Sequence, residues 1–184
     1  MLIILLLVSL LSISICVIFI LIFLAEFVAK FTTDAPFVPV PHEIEEDIIE
    51  NLGLQSKSVL YDLGCGDGKI LTKAVQKHPD IKAIGVERAI LPYILARIKT
   101  RKYNNIKIKR EDIFKTDISS ATDIFLYLYP EVINKLLSNI RRQCESGTKI
   151  LSCDFEFNQI KPIKVVSLNK TNSGRGKKLF VYTL

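Results

Sequence analysis

The chain has 184 residues, 49% of them hydrophobic, and a formal net charge of +6. Without its apolar N-terminus about 155 residues remain, enough for one domain with a substantial core and too few for two. Four cysteines with no C-x-x-C spacing exclude a cysteine zinc site and a disulfide framework, and point to free thiols in a reducing compartment.

Leu2 to Ala25 carries no charge, and its polar interruptions are Ser9, Ser12 and Ser14. As a helix this stretch covers a hydrocarbon core of about 30 Å. A cleaved signal peptide is the rival, but there is no basic n-region and Ala25-Glu26-Phe27 is a poor cleavage site. The expectation is a single-pass transmembrane anchor over 1–25. Only the α-amino group precedes it and Lys30 follows, which favours a cytoplasmic catalytic domain. Prolines at 36, 39 and 41 forbid a helix and a central strand, so 26–41 is expected to be a stiff linker and 42–184 the domain.

Charge is unevenly spread. Residues 26–62 hold eight acids and two bases, which leaves 63–184 with 23 bases against 11 acids, a net +12. Such a domain suits RNA, anionic headgroups or an acidic protein, or simply carries a solvated lysine-rich face. Ile44, Ile48, Ile49 and Leu52 repeat at helical spacing before Gly53, predicting a helix over 42–52 at the sheet edge. Its acids, Glu43, Glu45, Glu46 and Asp47, are expected on a solvated face near the helix N-terminus. His42 and His78 stand alone and receive no chemistry.

The apolar run Val59, Leu60, Leu63 ends in Gly64, Gly66 and Gly68, and a helical pattern over 69–77 follows at once. Strand, glycine turn, helix is the ligand-binding element at the carboxyl end of a parallel sheet. A dinucleotide fingerprint needs glycine at 69, where this chain has Lys69. Asp62, two residues before the first glycine, would repel a pyrophosphate and attract a cation. Strand two, over 81–86, ends in Glu87, placed to accept from ribose hydroxyls. A helix over 90–103, a strand over 106–109 and an apolar strand over 123–130 come next. Pro130 opens the helix Glu131 to Cys144, and a fifth strand runs from Thr148 to Cys153. The short tail predicts an antiparallel hairpin, Val165–Leu168 with Leu179–Thr183. Ser173-Gly174-Arg175-Gly176 reads as a mobile turn in preference to an RNA-binding fragment.

Asp62-Leu-Gly-Cys-Gly-Asp-Gly68 resembles motif I of the class I S-adenosylmethionine-dependent methyltransferases. With Pro36–Pro39, Gly85-Val-Glu87, Glu111-Asp-Ile-Phe114 and Leu126-Tyr-Leu-Tyr-Pro130, the chain is similar to small bacterial relatives of a membrane-anchored group. That group comprises the mitochondrial lysine methyltransferases of the ATP synthase c-ring protein and the adenine nucleotide translocase. The resemblance implies a Rossmann-like α/β fold, parallel strands plus a C-terminal antiparallel hairpin, and S-adenosyl-L-methionine as cofactor. It implies cofactor contacts at Asp62, Gly64, Cys65, Gly66, Gly68 and Glu87, with Asp112 on the adenine amino group and Ile113 against the ring. No metal is expected. Tyr127-Leu-Tyr129-Pro130 lacks the Asn or Asp of amide and adenine methyltransferases, which puts those chemistries in doubt; the resemblance implies protein lysine as the acceptor, in a membrane-associated substrate. Tyr129 and Asp154 are the candidates for positioning it, against a packing or loop role for each. The alternatives are a lipid or small apolar acceptor, RNA, or a non-catalytic cofactor-binding protein.

Overall fold

A computed structural model describes residues 1–32, 38–169 and 174–184. The chain divides into two units, Met1–Pro36 and Phe37–Leu184. The first contains the helix α1, Leu2–Thr32. Among the described residues it is the one helix long and apolar enough to cross a membrane, over Ile3–Phe27. The helix therefore continues past residue 25 into the stretch expected as linker.

The second unit is a seven-stranded sheet with helices between the strands. The strands are β1 Val59–Leu63, β2 Lys82–Val86, β3 Ile106–Lys109, β4 Asp123–Leu126, β5 Lys149–Cys153, β6 Lys164–Ser167 and β7 Lys178–Thr183. Their order is β3-β2-β1-β4-β5-β7-β6. The first five strands pair parallel, while β7 lies antiparallel between β5 and β6. The fold is therefore the Rossmann-like methyltransferase sheet with its C-terminal hairpin. Strand order reverses beside β1, so β1 and β4 diverge into their connections at the usual ligand crevice.

The helices are α2 Glu45–Leu52, preceded by a 3-10 turn at His42–Ile44, α3 Lys69–Lys77, α4 Ile90–Thr100 and α5 Pro130–Gln143. Ile44, Ile48, Ile49 and Leu52 are fully buried. Each such side chain contributes about 1.5–3 kcal/mol, against about 0.3–1 kcal/mol for an acid at a helix N-terminus. The apolar face therefore fixes α2, which packs on α3, β5 and β7 and so lies inward of the sheet edge. Lys149 Nζ donates to Leu52 O at 2.9 Å and closes its C-terminus.

Strand β4 is shorter than the 123–130 apolar run. Its partner β1 ends at Leu63 and turns, so Tyr127–Tyr129 have no ladder to join. They cross the top of the sheet instead and lead into α5.

Gly85 in β2 pairs with Asp62 of β1 and Ile108 of β3. A Cβ there would stand 2.6 Å from Leu71 Cδ1, 2.7 Å from Cys65 Sγ and 2.9 Å from Ile108 Cδ1. Gly85→Ala is expected to cost about 1–3 kcal/mol, lowering the melting midpoint by roughly 3–10 °C in a thermal scan. An unchanged midpoint would show that the core yields there.

Candidate active site

The β1–α3 turn uses backbone conformations that side chains resist. Gly64, Gly66 and Gly68 have φ of 88°, 55° and 75°, and a Cβ on Gly64 would meet Leu128 Cδ2 at 2.9 Å. Gly64 N–H and Cys65 N–H both donate to Val86 O, at 2.8 and 3.0 Å. Gly66 N–H donates to Glu87 Oε2 at 3.1 Å, and Glu87 Oε1 accepts from Ala89 N–H at 2.8 Å. Glu87 thus ties the tip of β1 to the tip of β2.

Asp62 is 3% exposed, and no cation meets its carboxylate among the described residues. Burial pushes its pKa well above the ordinary carboxyl range, and the nearby carboxylates of Glu87 and Asp67 push it further. Asp67 itself pairs with Lys99. A buried acid opening on a cleft, with like charges beside it, is a seat for a cationic group. The cleft is lined by Asp62, Gly64 to Asp67, Lys69, Val38 to Val40, Phe125 and Tyr127.

Lys69 stands where a dinucleotide fingerprint would have glycine. Its Nζ donates to Val40 O and pairs with Glu45 at 3.1 Å. Glu45 is 6% exposed and also meets His42 Nδ1 at 3.0 Å. These contacts strap the segment Val38–Glu45 to the glycine turn. Glu45 is therefore off the solvated face expected for it, and His42 has a partner where none was expected.

The candidate residues separate into groups. Asp62, Gly64, Cys65 and Gly66 line one cleft, and Glu87 touches it through Gly66. Cys65 takes part through its backbone, because its thiol lies over Gly85 in the core and burial raises its pKa. Gly68 faces α4, where an added Cβ would be 3.3 Å from both Ala96 Cβ and Thr100 Cγ2. Asp112 and Ile113 lie after β3, outside that cleft lining. Asp112 Oδ1 accepts from Phe114 N–H at 3.0 Å, and Arg88 Nη1 is 3.9 Å from Oδ2.

Asp154 sits at φ 65° and collects donors. Gly176 N–H and Lys177 N–H reach it at 2.6 Å, Lys178 N–H at 3.3 Å and Tyr127 OH at 3.2 Å. Gly176 is buried against Ile44 and Pro41, so this part of the tail is docked and not a mobile turn; Ser173 lies outside the described residues. Tyr127 lines the cleft, and burial with the Asp154 carboxylate holds its phenol well above the ordinary value. Tyr129 is exposed at 38%, its ring 6.1 Å from Phe155.

Sequence reasoning passed over Tyr127, Lys69 and Glu45. Period-two alternation puts Tyr127 on the face of Phe125. Glu45 falls three and four residues before Ile48 and Ile49, on the buried stripe of α2. Nothing in the sequence marks the Lys69 partner.

The model of the ANTKMT methyltransferase domain matches residues 62–164. A protein-lysine N-methyltransferase from Saccharolobus islandicus is 29% identical over 83% of this chain and 96% of its own length. The lysine N-methyltransferase of the ATP synthase C protein from Homo sapiens is 25% identical over 66% of this chain, which spans 52% of that protein. An RNA methyltransferase from Salinibacter ruber, solved with S-adenosyl-L-homocysteine, is 30% identical with a TM-score of 0.73, covering 79% of this chain and 93% of its own.

Proposed function

We propose, from the premise that this chain belongs to the ANTKMT methyltransferase family, that it is a membrane-anchored protein-lysine N-methyltransferase. The chain is an S-adenosylmethionine-dependent methyltransferase, and its cofactor is S-adenosyl-L-methionine. Lysine as acceptor is supported by the likeness to the Saccharolobus protein over nearly all of that protein's length. The Leu2–Thr32 helix supports the anchor, and an anchor raises the effective concentration of substrates in the same bilayer. This reading divides the chain into an anchor, a short connection and a methyltransferase domain.

The bound cofactor supplies a methyl group on a positively charged sulfur. Asp62 would receive the ammonium of its amino-acid part, Glu87 the ribose hydroxyls, and Asp112 with Ile113 the adenine. Glu87 already holds Gly66 N–H, so ribose contact shares or replaces that bond. The acceptor amine approaches from the Tyr127 side of the cleft, past the apolar wall of Val38, Pro39 and Phe125. Tyr127 stays protonated and donates to Asp154, which leaves its phenol oxygen free to accept from the amine N–H. Tyr127 therefore aligns the acceptor and does not deprotonate it; alignment is the larger contribution for a good nucleophile. In this arrangement Asp154 is a positioning residue acting through Tyr127, and Tyr129 meets the acceptor chain outside the cleft. An amine that took up that methyl group would lose its proton to water.

RNA is the second reading, favoured by the Salinibacter protein and by the +12 charge of residues 63–184. Membranes incubated with tritiated S-adenosylmethionine separate the two. Label released by protease and recovered as methyl-lysine is the expected result. Label released by nuclease supports RNA, and label in the solvent extract supports a lipid acceptor; either overturns lysine.

A further inference from the structure

Helix α4 faces the wrong way for a helix of a soluble domain. Its buried side is made of Pro92, Ala96 and Thr100. Its large apolar residues Ile90, Leu91, Ile94, Leu95 and Ile98 are instead 37–55% exposed. In α3 and α5 the large apolar residues are the buried ones. At about 100° per residue the five exposed side chains of α4 fill one continuous face. Arg97 and Lys99 flank that face, Lys99 paired with Asp67, and Arg101 and Lys102 follow at its C-terminal end. No acid occurs from Arg88 to Lys102.

We propose that this face of α4 lies in the surface of an anionic lipid bilayer. The proposal rests on the membrane-anchored reading above, since an anchor keeps the domain beside a bilayer. An apolar stripe with a basic rim is the composition that seats a helix at the boundary of headgroups and acyl chains. A second copy of the chain fits less well, because the stretch from Arg88 to Lys102 offers no acid of its own to meet the partner's basic rim. RNA fits less well too, because the centre of the face has no donors for phosphate. The contact would place the β3 edge of the sheet at the membrane, since α4 packs on β3 and on α3.

The chain has no tryptophan, so a single introduced indole reports its own surroundings. The full chain carrying Ile94→Trp or Ile98→Trp is reconstituted in vesicles of phosphatidylcholine, with or without phosphatidylglycerol, whose acyl chains are brominated. Val165→Trp, on the exposed far-edge strand β6, is the control. With phosphatidylglycerol, emission from positions 94 and 98 should fall about twofold or more, because such a face sinks about 5–10 Å below the headgroups. Position 165 should not respond. Adding Arg97→Glu and Arg101→Glu, or high salt, should restore emission. S-adenosylhomocysteine binding by each variant shows that it is folded. No quenching at 94 and 98 in a folded variant overturns the proposal, as does equal quenching at 165. An indole shielded without quenching, with cross-links between copies, assigns the face to a second copy and also overturns it. Alkaline carbonate extraction tests the anchor separately: a chain that leaves the vesicles has lost the anchor reading, whatever its quenching.

Discussion

Asp62→Asn should lose about 100-fold or more in affinity for S-adenosylmethionine while the free protein becomes no less stable. A buried carboxylate that receives a ligand ammonium is worth about 2–5 kcal/mol when one partner is removed. Asparagine keeps the shape and removes the charge. Without ligand the same charge is a liability, because burial and the carboxylates of Glu87 and Asp67 hold the Asp62 pKa well above the ordinary range. The sign follows from proton counting. Between the unfolded and folded pKa values the native state binds more protons than the unfolded state, so the Asp62 contribution to stability falls as pH rises through that window. Above it the charged form destabilises the fold by a constant amount that asparagine removes. Melting midpoints of the two proteins should converge at acid pH, and the variant's should be higher at neutral pH, by about 2–4 °C per kcal/mol. Affinity for the cationic cofactor should rise with pH through the same window in the wild type and lose that dependence in Asp62→Asn. Equal affinities in the two proteins would remove Asp62 from the cofactor site.

Asp154→Ala should lower the melting midpoint and the methyl-transfer rate together. The carboxylate accepts from three successive backbone N–H groups and from Tyr127 OH. Charge-assisted hydrogen bonds are worth about 1.5–3 kcal/mol each, less where water can replace them. For this partly buried group a total of about 2–4 kcal/mol is expected, or roughly 5–15 °C in midpoint. Asp154→Gly separates two causes: it relieves the positive φ but removes the acceptors. It should still lower the midpoint. Asp154→Asn tolerates the backbone and keeps one acceptor oxygen, so an intermediate loss is expected in both readouts. A group acting as a base on the acceptor would behave differently. In that case asparagine would abolish turnover with the midpoint unmoved, and the positioning role would be wrong.

Most of the sheet could be read from the chain because several strands are followed closely by a residue type that opens the next element. Glycines close β1, Glu87 and the Ile90 helix follow β2, and Pro130 opens α5. The hairpin was legible from length alone, since the stretch after Cys153 is too short for a crossover helix. What could not be read lies in contacts between distant segments. Lys69 looks like a helix-opening lysine, yet its partners Val40 and Glu45 come from before β1. Asp154 reads as the end of a strand, and three of its donors come from the other arm of the tail. Four acids near the start of α2 look alike until the apolar face is rotated, which leaves Glu45 inside. The aromatic pair Tyr127 and Tyr129 shows the same limit. Alternation gives them one face, but the crossing over the sheet top puts Tyr127 in the cleft and leaves Tyr129 exposed.

The seat for the ligand ammonium is tested most directly by a double cycle in calorimetry on the full chain in detergent. The ligands are S-adenosylhomocysteine and the analogue lacking its α-amino group; the proteins are the wild type and Asp62→Asn. Losing the amino group should weaken wild-type binding by about 100-fold and leave binding to Asp62→Asn nearly unchanged, a coupling of about 2–3 kcal/mol. The same loss in both proteins would place the ammonium elsewhere and contradict the account.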